Sequence, residues 1–306
     1  MRVTESMTFS TMINNMQTLR EKLAKLQEQA ATTYKVNAPS DDPQATLQIY
    51  NLKGVKAATD QYLSNIKTGN AWLKQAESAL SSISDVIGKA KDAAFSMANG
   101  SGDPALATSM TSLIRQLKEE VVVLGNTKYG DSYIFGGYKT ESAPFSTTLL
   151  ANGSVDGTYN GTADSIRVEI GPGSSSPINL TGDSVLRGGT PPGSTGTDVV
   201  GMLDNLLNAL TANDSAAIQA LLPQFGKAMD QITAARSEVG ARMVRLDTGR
   251  SMQESVQVNL TDVISGAQDA DMVKVMTELS QQQTVLQASL ASSAKISQVS
   301  LLDYLK

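Results

Sequence analysis

Phe9, Met12, Met16, Leu19, Leu23, Leu26 and Ala30 recur at alternating spacings of three and four residues. That is an a/d heptad seam, and it predicts a long amphipathic helix with Arg20, Glu21, Lys22, Lys25 and Glu28 mostly outside it. One such helix buries little by itself and is marginal in water, so it needs a partner. The other end of the chain supplies a candidate. Met272, Met276, Leu279, Gln283, Leu286 and Leu290 stand at heptad spacing, followed by Ile296, Val299 and Leu302. Two unpaired seams at opposite ends most simply pair with each other. Their leftover faces are then free for neighbouring copies.

A short joint follows the first seam: Asn37, Ala38, Pro39, Ser40, Asp41, Asp42 and Pro43. A residue before proline is pushed out of the α region, which biases Ala38 and Asp42 to extended backbone. Asp42 suits the N-cap and Pro43 the first helical position, where a missing N–H costs nothing. The stretch therefore ends one helix and starts the next. Asp41 and Asp42 as a metal-binding or proton-shuttling pair is the weaker reading, in a chain without a single histidine.

Apolar positions resume as Leu73, Ala76, Leu80, Ile83, Ile87, Ala90, Ala94 and Met97. Asn99 to Pro104 reads as a turn, and a second seam runs Leu106, Met110, Leu113, Leu117, Val121 and Leu124 before Gly125. Two long helices joined by a short turn predict an antiparallel hairpin. Trp72, the lone tryptophan, reads as packing beside this seam. Glu119 and Glu120 read as a solvated helix edge.

Between the helical tracts the pattern changes. Tyr129, Tyr133, Phe135, Tyr138 and Phe145 cluster around Gly136 and Gly137, and residues 140–197 are rich in Gly, Ser, Thr and Pro. Ile166, Val168 and Ile170 alternate with Arg167 and Glu169, which predicts a half-buried strand. Thr158 with Tyr159, and Ile178 to Leu180, are weaker strand candidates. The glycine runs at 171–174 and 188–191 lack phosphate-loop spacing and read as turns. Helical patterning returns in a short segment with Val199, Leu203, Leu206 and Leu210, broken at Asn213 and Asp214. Phe225, Met229, Ile232, Arg236, Val239, Met243 and Leu246 then continue it.

The predicted fold class is mainly α with a small β insertion: a long antiparallel helical bundle or coiled-coil rod with paired N- and C-terminal helices. Residues 1–38 with 255–306 form the expected terminal assembly domain. Residues 39–139 with 198–254 form the rod, and 140–197 the β-rich insertion, placed at the far tip.

Composition narrows the function. The 306 residues contain no cysteine and no histidine and carry a formal charge of −5. This removes thiol nucleophiles, imidazole triads and Cys/His zinc sites, and it argues against nucleic acid as a partner. No stretch approaches the apolar length of a membrane helix, and the N-terminus lacks the apolar core of a secretory signal. No catalytic site, cofactor or metal is expected.

Three motifs carry a family resemblance. Asn37, Pro39, Ser40, Asp41, Asp42 and Pro43 form a joint motif. Tyr133, Ile134, Phe135, Gly136, Gly137 and Tyr138 form a second. Gln283, Thr284, Val285, Leu286, Gln287, Ala288 and Ser289 on the last helix form the third. Together the chain resembles the bacterial flagellin superfamily, and within it the hook–filament junction proteins, from end to end. Filament flagellins usually continue the joint as Asp-Asp-Ala-Ala-Gly, whereas this chain reads Asp41, Asp42, Pro43, Gln44, Ala45.

The resemblance implies a structural adapter between hook and filament, forming a ring of copies in an extracellular flagellum. Self-assembly would run through Phe9, Met12, Met16, Leu19, Leu23, Leu26, Met272, Met276, Leu279, Leu286 and Leu290. It implies export from the cytoplasm by the flagellar type III route, with an export chaperone on Leu279, Leu286, Leu290, Val299 and Leu302. A hook-associated protein on the hook side and filament-side proteins would be its neighbours, with no role for nucleic acid or membrane. Filament flagellin is the alternative, and another type III exported coiled-coil protein a more distant one.

Overall fold

The computed structural model describes residues 5–99, 104–150 and 153–304, with side chains at 7, 9–99, 104–150 and 153–294. The turn expected at Gly100 to Asp103 lies outside the described residues. Among the described residues six α-helices dominate: α1 (Glu5–Thr32), α2 (Pro43–Ala98), α3 (Pro104–Gly125), α4 (Val199–Thr211), α5 (Ser215–Gln268) and α6 (Met272–Tyr304). Two small antiparallel pairs accompany them, β1 (Lys128–Tyr129) with β2 (Ser132–Tyr133) and β3 (Arg167–Gly171) with β4 (Ser174–Pro177). The chain divides into two compact units, residues 59–255 and residues 1–58 with 256–306.

The central unit, 59–255, holds a continuous apolar core from Ile66 to Leu246. Leu73, Ala76, Leu80, Ile83, Ile87, Ala90, Ala94 and Met97 of α2 are all buried, as the spacing predicts. On α5, Phe225, Ile232, Val239 and Leu246 face the same core. Arg236 interrupts that run and is neutralised by Glu77 of α2, with guanidinium contacts of 2.9 and 2.8 Å to one carboxylate oxygen. On α3 the buried stripe is Ala107, Ile114, Leu117, Lys118, Val121 and Val122, while Leu106 and Leu113 stay partly exposed. The predicted seam is thus rotated by about one position, because α3 packs against α4 as well as α2 and needs a wider, re-aimed face.

The placement of the β insertion differs from expectation. The insertion does not sit at the far tip. Since α3 returns alongside α2, the chain leaves it next to Trp72, whose ring lies 6.0 Å from that of Tyr129. From there Glu169 accepts a hydrogen bond from Asn65 Nδ2 (3.0 Å), and Ile170 one from Gln253 Nε2 (3.1 Å). The opposite end of this unit is instead closed by α5, where Gln219 Nε2 donates to the carbonyl of Ala98 (3.1 Å).

Strand β3 forms where alternation predicts it, and its partner is the serine-rich β4. Ile178 and Leu180 are buried against the helices. A Cβ on Gly69 of α2 would stand only 2.8 Å from Ile178, so these apolar side chains serve the core, while Ile178 N still donates to Ile166 O (3.0 Å) beside the β3–β4 pair. Tyr159 makes an isolated bridge to Phe145, not a strand.

In the terminal unit, α1 and α6 run antiparallel. Tyr34 bridges Asp269, Lys35 N donates to Gln268 O (2.8 Å) and Ala270 N donates to Thr33 O (2.9 Å). The breaks that end α1 and α5 therefore lie side by side.

Candidate functional site

The terminal unit is where predicted chemistry and observed surface meet. On α1, Met12, Met16, Leu19 and Leu23 are half-buried and Leu26 is buried, while Phe9 is 56% exposed. On α6, Met272, Leu279 and Leu286 are half-buried beside buried Val275, while Met276 and Leu290 are exposed. The sheltered face of α6 includes Gln282, Ser289 and Ser293 as well. Ser293 Oγ sits 3.1 Å from Met12 Sδ and 3.8 Å from Met16 Sδ. The side chains of Val299 and Leu302 lie outside the described residues.

The joint is held by its two aspartates in different ways. Asp41 accepts from the backbone N–H of Asn37 (3.1 Å) and Ala38 (3.0 Å), and its other oxygen meets Lys25 Nζ at 2.9 Å. The Lys25 ammonium, then the two amides, hold this carboxyl down at about 2. Asp42 caps α2 by accepting from Gln44 N and Ala45 N, both at 3.0 Å. Asp271 caps α6 the same way, through Val273 N (3.0 Å) and Lys274 N (3.1 Å). Pro43 takes the first position of α2. Both new helices thus start from fixed caps at adjacent chain breaks.

Among the described residues, exposed apolar side chains crowd this unit. Met7, Phe9, Ile13, Leu47, Tyr50, Val55, Val258, Val263, Val273, Met276 and Leu290 all remain in water. Buried apolar side chains are few by contrast: Leu26, Val36, Ile49 and Val275. Large contiguous apolar patches on soluble monomers characteristically mark interaction sites.

The second motif lies in the central unit and is a folding node. Ile134 and Phe135 are buried, Tyr133 lies in β2 under Lys128 Nζ, and Tyr138 is exposed. Gly137 has φ +65 and runs so close to Thr162 that a Cβ would come within 2.2 Å of its carbonyl oxygen. The Tyr159 hydroxyl stands 3.0 Å from Phe135 O and 2.9 Å from Thr162 O, and burial, then the nearby Asp183 charge, pushes its pKa up to about 12.

One polar cluster carried no signal in the sequence. Lys118, fully buried on α3, contacts Asp204 Oδ1 of α4 at 2.5 Å, Ser154 Oγ at 3.0 Å and the Val155 carbonyl. A lysine on a helix reads as solvated, and only the tertiary fold places this one inside. Among the described residues, no three His, Cys, Asp or Glu side chains converge as a metal site. Among the described residues, no helix is long and apolar enough to cross a membrane.

Comparison with known proteins places this architecture. Residues 3–140 match the bacterial flagellin N-terminal helical region, and residues 222–305 the bacterial flagellin C-terminal helical region. Flagellar hook-associated protein 3 of Escherichia coli K12 is 29% identical, over 92% of this chain and 95% of its own length. A flagellin of Listeria monocytogenes is 23% identical, over 91% of this chain and 89% of its own. The solved structure of a flagellar hook-associated protein from Vibrio parahaemolyticus shares the fold. Its TM-score is 0.66 at 23% identity, covering 75% of this chain and 100% of that one.

Proposed function

The chain belongs to the bacterial flagellin family, and from that premise we propose that it is the structural adapter joining hook to filament in a bacterial flagellum. The observation that carries this reading is the contrast between its two units. The central unit collects the core between Ile66 and Leu246, whereas the paired ends leave Met7, Phe9, Ile13, Leu47, Tyr50, Val55 and Met276 in water. Full burial of such a side chain contributes about 1.5–3 kcal/mol, so several buried at once against neighbouring copies outweigh the loss of freedom on association. A subunit built this way is complete only in a polymer.

The adapter role, rather than that of filament subunit, is supported by two features. The hook-associated relative matches at higher identity than the flagellin, and the joint reads Asp41, Asp42, Pro43, Gln44, Ala45 instead of the usual flagellin continuation. In this role copies form a ring whose subunits meet through the seams of α1 and α6. A hook-associated protein lies on one side and filament-side proteins on the other. The protein leaves the cytoplasm by the type III route, and a chaperone holds α6 over Leu279, Leu286, Leu290, Val299 and Leu302 beforehand. No catalytic step is part of this role.

A clean deletion in the source bacterium tests it, with microscopy and an assay for flagellin in the medium. Bare hooks with unpolymerised flagellin shed into the medium are expected. Bare hooks with no major flagellin produced would make this chain the filament subunit, and normal filaments would overturn the adapter reading.

A further inference from the structure

The arginines of the central unit differ in what they meet. On α5, Arg236 contacts Glu77, Arg242 contacts Glu238, and Arg250 lies 3.4 Å from Asp247. Arg245, on the same helix, pairs with no carboxylate among the described residues. Its Nη2 donates instead to the carbonyl of Ser175 on β4 (3.1 Å). Arg167 of β3 sends its Nη2 to that same oxygen (3.2 Å) and its Nε to Ser175 Oγ (3.0 Å). It too pairs with no carboxylate among the described residues. Two guanidiniums from separate elements thus converge on one residue, which keeps their Nη2 atoms within about 6 Å of each other. Both side chains are exposed, so water and salt soften the repulsion without removing it. Glu169 stands opposite Ser175 in the β3–β4 register and is exposed, yet among the described residues it pairs with neither arginine.

We propose that Arg167, Arg245 and the Ser175 hydroxyl form an oxyanion-binding site that takes a phosphate or sulfate group, free in solution or carried as an ester. A guanidinium carries five N–H donors, of which Arg167 uses two here and Arg245 one. The remaining donors are free for a ligand. Ser175 Oγ accepts from Arg167, which leaves its own proton to donate outward. The cluster therefore offers donors from three groups at one point. Planar guanidiniums match pairs of oxygens on a phosphate or sulfate, and an exposed site leaves the ligand's remaining oxygens to water. A dianion also neutralises both cations, whereas a single carboxylate neutralises one. One arginine is enough to tie β4 to α5. The second adds like charge to the same carbonyl, and a bridging anion turns that repulsion into attraction. Glu169 works against the ligand from the facing strand, so its removal tightens binding.

The test uses the full chain with isotope-labelled arginine, at an ionic strength held constant with sodium chloride. Inorganic phosphate and then glycerol phosphate are titrated in, and NMR follows each arginine Nε–H. Arg167→Lys and Arg245→Lys assign the two signals. Expected is a saturable shift at Arg167 and Arg245, with Arg236, Arg242 and Arg250 unmoved. Arg245→Gln should weaken binding roughly tenfold, because it removes charge-assisted donors. Its stability to urea is read alongside. Glu169→Gln should tighten binding about threefold, a gain that no unfolding can imitate. Glycerol phosphate binding as tightly as inorganic phosphate supports a ligand carried on a larger molecule, and a preference for inorganic phosphate supports the free ion. Linear shifts of equal size at all arginines are screening alone and would overturn the proposal, as would no shift at all. It would fall equally if Arg245→Gln bound phosphate as wild type does, or if Glu169→Gln failed to tighten binding.

Discussion

Lys118 Nζ and Asp204 Oδ1 lie 2.5 Å apart, joining α3 to α4, and the two side chains differ sharply in access to water. The lysine side chain is 0% exposed and the aspartate 32%. The asymmetry sets which deletion hurts more. Asp204→Ala leaves an ammonium in the core with only the Ser154 hydroxyl and the Val155 carbonyl, a loss of about 3–5 kcal/mol. Lys118→Met keeps most of the apolar stem and leaves a carboxylate that water can still reach, which costs about 1–3 kcal/mol. Urea denaturation should rank Asp204→Ala as the less stable variant. The double variant should recover part of the loss, since neither charge is then stranded.

Gly137 takes a left-handed backbone conformation that glycine adopts freely and alanine only at a cost. At φ +65, with Thr162 O where a Cβ would stand at 2.2 Å, Gly137→Ala meets both dihedral strain and a clash with backbone that has little room to move. The strain alone costs about 1–3 kcal/mol. Thermal unfolding of the central unit should shift down accordingly, while a Tyr138→Ala change at the exposed neighbour leaves it nearly in place. If the two variants melt alike, the motif is not a folding node.

Much of this architecture was legible in the chain, and the exceptions have physical causes. The burial of Leu73, Leu80, Ile87 and Ala94 follows from the 3.6-residue period, because one helix face meets one core. On α3 the same logic misplaced Leu106 and Leu113, since a helix touching two partners has a broader face than one seam describes. Strand β4 has no local signal, because Ser174, Ser175 and Ser176 carry no β propensity, while Ile178 and Leu180, the weaker strand candidates, put their side chains into the core. The side-on position of the β insertion depends on the return of α3 past Trp72, a tertiary fact without a local marker. At the joint the caps could be read directly, since Asp before Pro at a helix start has one natural role. Asp41 could not, because its bond to Lys25 spans the end of α1.

Asp41 makes the joint sensitive to strong acid. Its carboxyl is lowered from 3.8 to about 2 by Lys25 and then by the amides of Ala38 and Asn37. A folded value below the unfolded one means that the charged form stabilises the fold. That contribution is complete above the unfolded pKa of about 4 and is lost as pH falls through 2. Amide exchange at Asn37 and Ala38 should therefore report weakening between pH 4 and 2. Asp41→Asn, which keeps an acceptor oxygen but drops the charge, should lose the Lys25 attraction at all pH and show no such titration. An unchanged acid response in that variant would move the effect to another carboxylate.

Leu286→Asp is expected to separate the fold of the central unit from assembly. Leu286 sits half-buried on α6 in the terminal unit and is not among the residues of the core that runs from Ile66 to Leu246. Leu286→Asp places a charge on the sheltered face of α6, where desolvation of a carboxylate works against any helix packed on it. Leu286 is not part of that core, so the stability of the central unit to urea should stay within about 0.5 kcal/mol of wild type. Incorporation into flagella should fail, read as loss of the protein from sheared and purified flagella with loss of swimming. Export is scored separately by assaying the variant in the medium. Exported but unincorporated protein places the defect in the seam, whereas retention in the cytoplasm places it at the chaperone or export step. Normal swimming with normal incorporation would remove Leu286 from the assembly surface altogether.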